Sequence, residues 1–110
     1  MQKKLLINGK FVAGKGEELD ILDPATGKSI AKIAEATSAQ VDAAVSAATD
    51  AFDGWARTPP KDRAAILLKL ADRIEADAAG FAKLESQNCG KPLAAAQNDE
   101  IPAVADVFRF

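Results

Sequence analysis

A chain of 110 residues makes one domain at most, or a piece of a larger one. Its net charge is −2, with acids and bases interspersed, which excludes the basic footprint of a nucleic-acid binder. It has no histidine and no tyrosine, so a Ser-His-Asp or Cys-His triad is impossible within these residues, and the commonest zinc ligand is missing.

Hydrophobic residues make up 48% of the chain, but alanine dominates them and aromatics are only 5%. That balance favours closely packed helices over a thick β core. One cysteine cannot form an internal disulfide, and the start, MQKKLLINGKFV, lacks a leader-like apolar run. The chain therefore reads as cytoplasmic. No stretch approaches the ~20 apolar residues of a membrane span.

The first third predicts strands. Leu5-Leu6-Ile7 and Phe11-Val12 flank Asn8-Gly9, a hairpin signal because both turn residues tolerate positive φ. LDILDP predicts a strand, and DPATG turns it, with Pro24 fixing φ and Gly27 supplying freedom. KSIAKIAEA alternates, but Ile30 and Ile33 are one register apart, which predicts a bulge or an edge. Residues 1–36 thus read as an antiparallel ribbon.

From Thr37 the period becomes helical. Thr37 with Gln40 predicts a capping box. Val41, Ala44, Val45, Ala48 and Phe52 form one apolar stripe, Gly54 is expected to end the helix, and Trp55 is expected in a loop as a core anchor. Thr58 is the expected cap of the next helix, with Pro59 and Pro60 in its first turn. Its stripe is Leu67, Leu70, Ala71 and Ile74. Asp77 restarts the helix, which should carry Phe81 and Leu84 inward and end near Cys89. Gly90 is the expected left-handed cap. A last helix begins near Pro92 and is expected to kink at Pro102, which cannot donate to the carbonyl of Asn98. The final VADVFRF stays apolar and uncapped, so the chain is expected to continue.

Taken in order, INGKFV, DPATGKSIAKIAEA, VDAAVSAATDAF, the tryptophan, RAAILLKLADRIEAD and LESQNCGKP resemble the N-terminal region of the NAD(P)-dependent aldehyde dehydrogenase superfamily. NCGKP and NDEIPAVADVFRF resemble its bacterial gamma-aminobutyraldehyde and betaine aldehyde dehydrogenases. The resemblance implies an α/β chain: residues 1–110 as the N-terminal part of the NAD-binding domain of a three-layer enzyme, with a ribbon (1–36) and helices (37–110). It implies oxidation of an aldehyde, such as the aminoaldehyde 4-aminobutanal of putrescine degradation, to the acid with NAD. A cysteine thioester and a glutamate-activated water do the chemistry in such enzymes. Those residues and the dinucleotide-binding turn lie outside this segment, so the chain alone is expected to be inactive. A homotetramer is the implied assembly. Betaine aldehyde or a neutral semialdehyde is the alternative substrate, and a stand-alone helical interaction module the alternative class.

Four features are candidate sites. Cys89 has no histidine to activate it and stands at the wrong dipole end for a thiolate, so it reads as packing. Gly90-Lys91 fails the P-loop pattern, because a helix precedes it and Pro92 replaces Ser/Thr. The resemblance implies a structural monovalent cation on main-chain carbonyls at Ile21 and Asn88, weakened because Asn88 stands where a carboxylate is usual. At about 100° per residue, Asp99, Ala103 and Asp106 fall within an arc of roughly 60° on one helix face. The resemblance places that helix at the mouth of the substrate tunnel, where carboxylates would attract an ammonium group and a small Ala103 would leave room. Equally, Asp99 and Glu100 could be first-turn acids and Asp106 a surface one.

Overall fold

The computed structural model describes residues 2–110. Four strands precede the helices: β1 (Leu5–Ile7), β2 (Lys10–Val12), β3 (Glu18–Leu22) and β4 (Ser29–Ala34). Then come α1 (Ser38–Arg57), α2 (Pro60–Ala76), α3 (Ala78–Cys89), a single turn α4 (Leu93–Ala95), a π turn (Ala96–Glu100) and α5 (Ile101–Arg109). The chain divides into two compact units: Met1–Leu22 with Ser29–Arg57, and Asp23–Lys28 with Thr58–Phe110.

In the first unit β1 and β2 pair antiparallel, Leu5 opposite Val12 and Ile7 opposite Lys10. Asn8 and Gly9 sit at φ 49° and 71°, the paired left-handed conformation that matches strand twist. β3 and β4 form a second antiparallel pair. Ile21 faces Ala31 and Leu22 faces Ser29, which leaves Ile30 as the extra residue of a bulge. The one-register offset of Ile30 and Ile33 therefore has the expected cause. Each strand pair is its own two-stranded sheet.

Thr37 and Gln40 form the expected capping box: the Gln40 N–H donates to Thr37 Oγ1 at 3.4 Å and the Thr37 N–H to Gln40 Oε1 at 3.3 Å. The Gln40 amide has a second task. Its Oε1 accepts the Lys15 N–H at 2.9 Å, and its Nε2 donates to the Ala13 carbonyl at 2.9 Å. One side chain thus ties the loop after β2 to the start of α1.

α1 corrects two expectations. It does not stop at Gly54 but runs on to Arg57, so Trp55 is helical. A glycine inside a helix costs only about 1 kcal/mol, and a helix stop requires positive φ, which Gly54 lacks. Trp55 is 43% exposed rather than a core anchor. The predicted stripe is not a buried face either: Val41, Val45 and Phe52 are exposed and α1 buries no residue.

In the second unit the Asp23–Lys28 turn is self-closed. Asp23 Oδ1 accepts the Ala25 N–H at 2.8 Å, and the Gly27 N–H donates to the Asp23 carbonyl at 2.7 Å. α2 opens at Pro60, and its N-cap position is Pro59, not Thr58. Pro59 is extended (ψ 141°), which places Thr58 one residue too early to cap. The Thr58 carbonyl instead accepts from Arg63 Nη1 at 2.7 Å. α2 breaks at Asp77 (φ −113°, ψ 27°), and α3 restarts there as expected.

The core is a cluster of Ala71 and Ile74 from α2, Ala82 from α3, Ala96 from the π turn, and Ile101 and Ala105 from α5. Ala78 and Phe108 flank it. The four alanines are fully buried, which means the helices meet with little more than a methyl group between their backbones. This selects against larger neighbours in phase. Leu67 and Leu70 of the predicted α2 stripe are exposed, and so is Phe81, while Ala82 beside it takes the inward place. Leu84 is half-buried.

Candidate functional site on the helix after the Gly-Lys-Pro segment

Gly90 ends α3 at φ 76°, ψ 14°, the left-handed cap expected, and its N–H donates to the Ser86 carbonyl at 3.0 Å. A Cβ at Gly90 would meet Pro24 Cγ at 3.0 Å, so the Asp23–Lys28 turn lies directly against this cap. Cys89 corrects its reading as a packing residue: at the end of α3 it is exposed, and its Sγ donates to the Glu85 carbonyl at 3.1 Å. Lys91 Nζ lies 2.6 Å from Glu100 Oε2 and 3.5 Å from Glu85 Oε1. The hydrogen bond to Glu100, with the nearby carboxylates, holds the Lys91 ammonium above its ordinary value. Lys91 is thus a strap between the end of α3 and the π turn. A cation so engaged is not a free phosphate ligand.

Pro92 stands at the N-cap of α4, and the following helix does not simply kink at Pro102. It widens into the π turn, where the Ile101 N–H reaches back to the Ala96 carbonyl, and returns to α spacing from Ile101 onward. The arc drawn for Asp99, Ala103 and Asp106 keeps its width, because Ala103 and Asp106 are three apart within α5, but Asp99 moves inside it. The arc assumed about 100° per residue throughout. The π turn rotates each residue by less, so Asp99 shifts towards Ala103 and away from Asp106. All three are exposed.

The two aspartates differ. Asp106 Oδ1 lies 3.5 Å from Arg109 Nη1, one turn on. No ion pair among the described residues includes Asp99. Arg109 is a hub that sequence reasoning missed. Its guanidinium holds Glu75 with both nitrogens, at 2.6 and 2.5 Å, and Asp72 at 3.2 Å. It therefore fastens α5 to α2. Asp72 and Glu75 share a face of α2 at i, i+3, but no local pattern pairs them with a residue more than 30 positions away.

Arg109 sets an acid limit. Its hydrogen bond and charge hold the Glu75 carboxyl below the ordinary 4.5. A carboxyl depressed by folding contributes stability that is complete above its unfolded value and lost as pH falls through the folded one. The melting temperature should therefore drop more steeply from about pH 5 to about pH 3 in the wild type than in Arg109→Met. Circular-dichroism melts across that range check it, and parallel pH profiles would count against the hub.

The remaining candidates are placed as follows. Ile21 lies on β3 in the first unit, and Asn88 lies exposed in the last turn of α3 in the second. Among the described residues no group of three or more His, Cys, Asp or Glu could hold a metal ion. No helix among them is long and apolar enough to cross a membrane.

Comparison with known proteins accounts for the arrangement. Residues 11–110 match the model of the aldehyde dehydrogenase family. A mitochondrial aldehyde dehydrogenase of Leishmania tarentolae is 42% identical over 111 residues, covering 100% of this chain and 22% of the relative. The NADP/NAD-dependent aldehyde dehydrogenase PuuC of Escherichia coli K12 is 38% identical over 113 residues, covering 100% of this chain and 23% of the relative. Crystal structures of PnpE, one from Pseudomonas sp. WBC-3 and one in complex with nicotinamide adenine dinucleotide, superpose with a TM-score of 0.94 at 42% identity. They cover 99% of this chain and 23% of theirs. The chain thus spans under a quarter of the length of the relatives it matches. Because the family model matches residues 11–110, this α/β chain belongs to the aldehyde dehydrogenase family.

Proposed function

We propose that this chain is the N-terminal part of the cofactor-binding domain of an NAD-dependent aldehyde dehydrogenase that oxidises a cationic aminoaldehyde such as 4-aminobutanal. The observation that carries the substrate reading is Asp99: an exposed carboxylate without an ion-pair partner among the described residues, on the segment that leads into α5. A cation entering near it would gain a Coulomb interaction that a neutral aldehyde would not. Ala103, small and exposed, leaves space beside it. Asp106 contributes less, since Arg109 already offsets part of its charge.

The chemical steps belong to residues outside this segment. Bound NAD supplies the hydride acceptor; this chain supplies a scaffold and a charged entrance. The unpartnered apolar residues of α1 support a segment of a larger body over a stand-alone helical module. A homotetramer in the cytoplasm is part of the same proposal. So is a monovalent cation on main-chain oxygens, weaker here because Asn88 lacks a charge.

Asp99→Asn in the full-length enzyme tests the reading. It should raise KM for 4-aminobutanal about two- to fivefold while leaving KM for butanal unchanged. Steady-state kinetics on both aldehydes decide it. Equal effects on the two would favour a neutral semialdehyde as substrate.

A further inference from the structure

Asn8 and Gly9 are the two turn residues between β1 and β2. Both are exposed, and both hold positive φ, at 49° and 71°. An asparagine side chain places its amide carbon one methylene from the backbone, within reach of the next residue's nitrogen. A following glycine leaves that nitrogen uncrowded, because it has no Cβ. Two observations show the nitrogen accessible in this turn. No turn or loop hydrogen bond among the described residues uses the Gly9 N–H. Beyond Asn8 and Lys10, no atom lies within 4 Å of the place a Gly9 Cβ would take. The other two asparagines, Asn88 and Asn98, lie in α3 and the π turn and precede Cys89 and Asp99. There the attacked nitrogen belongs to a residue with a side chain and to a helical backbone.

We propose that Asn8 is a site of spontaneous deamidation, with the Gly9 nitrogen as nucleophile and water as co-reactant. Hydroxide takes the Gly9 N–H proton, and the nitrogen bonds to Asn8 Cγ. The Cγ–Nδ2 bond breaks, and the leaving nitrogen takes a proton from water, departs as ammonia and regenerates hydroxide. A five-membered imide remains. Water then opens it at one of its two carbonyls. Opening at Cγ leaves aspartate; opening at the main-chain carbonyl leaves isoaspartate, whose backbone runs through the side-chain methylene. Nothing is oxidised or reduced. Either product puts a carboxylate into an open cleft of about 590 Å³ that Ile7 and Asn8 line together with Asp50 of α1. No ion pair among the described residues includes Asp50, so the new charge meets an uncompensated like charge. Isoaspartate also lengthens a two-residue turn that sets Ile7 opposite Lys10. Deamidation therefore loosens the hairpin from α1.

Incubating the purified protein at neutral and at mildly alkaline pH, then digesting it for mass spectrometry, tests the site. The peptide carrying Asn8 should gain one mass unit and become a substrate for isoaspartyl methylation. It should do so several-fold faster than the peptides carrying Asn88 and Asn98, and faster at the higher pH, because hydroxide frees the attacking nitrogen. The comparison is internal to the wild type, so it does not depend on a variant folding. Asn8→Ser should remove the isoaspartyl signal from its peptide. Conversion at Asn8 no faster than at Asn88 and Asn98, or independent of pH, would overturn the site. Asn8→Asp stands in for the product carboxylate. Its β1–β2 amides should exchange hydrogen faster than those of the wild type, and adding Asp50→Asn should return them towards the wild-type rate. The same exchange rate with and without Asp50 would overturn the charge conflict in the cleft.

Discussion

Ala105→Leu is expected to destabilise the fold by about 1–3 kcal/mol or more. Ala105 is fully buried, and so are Ala71, Ala82 and Ala96 around it. Leucine adds three carbon atoms where the partners already touch at backbone distance. α5 must then move off α2, or the new side chain must leave its rotamer. Moving α5 would also pull Arg109 from Glu75 and Asp72. Ala103→Leu is the control. It lies two residues away but exposed, and should stay within about ±0.5 kcal/mol. Urea unfolding of both variants reads the difference. Similar small shifts for the two would mean that the α2–α5 interface is not the close contact described.

Gly90→Val should cost about 2–4 kcal/mol, from two additive causes. An L-residue at φ 76° pays roughly 1–2 kcal/mol, more when β-branched. The added Cβ also meets Pro24 Cγ at 3.0 Å, on a ring that cannot rotate away. Gly90→Ala should cost less, since it carries no γ branches. Gly54→Ala should have the opposite sign. That glycine is inside α1, its φ is not positive, and nothing lies within 4 Å of an added Cβ. Alanine there should stabilise by up to about 1 kcal/mol. Thermal melts of the three variants check the pattern. Destabilisation by Gly54→Ala would restore it as a helix stop.

These two glycines show how far sequence reading carried. Both follow helical periodicity, and both read as stops. Gly90 is followed by Pro92, which cannot continue an α-helix easily, whereas Gly54 is followed by Trp55, Ala56 and Arg57, which can. The Asn8-Gly9 hairpin, the Ile30 bulge, the Thr37–Gln40 box and the Asp77 restart were legible for the same reason as Gly90. Each is fixed by residues within four positions of itself.

The candidate site was legible only in part. Asp99, Ala103 and Asp106 could be named from spacing and resemblance. Their relative rotation could not, because it depends on a π turn. A signal for that turn was present: buried-type residues at Ala96, Ile101 and Ala105 are spaced five and then four apart. Lys91 was visible as part of a failed phosphate motif, but not as the partner of Glu100. Arg109 showed locally only its i, i+3 pairing with Asp106, not its hold on Asp72 and Glu75.

By itself, the sequence determined the local backbone: turns, caps, bulge and the ends of most helices. These depend on φ preferences and on hydrogen bonds to near neighbours, and the ordered series of such segments also marked the family. Only the tertiary structure decided which apolar faces are covered, why alanines rather than leucines fill the core, and how the helix before α5 is wound. Those outcomes are set by contacts between residues far apart in the chain. Arg109 with Glu75, and Ala105 against the α2 alanine and isoleucine, join α5 to α2 through contacts that no preference of neighbouring residues encodes.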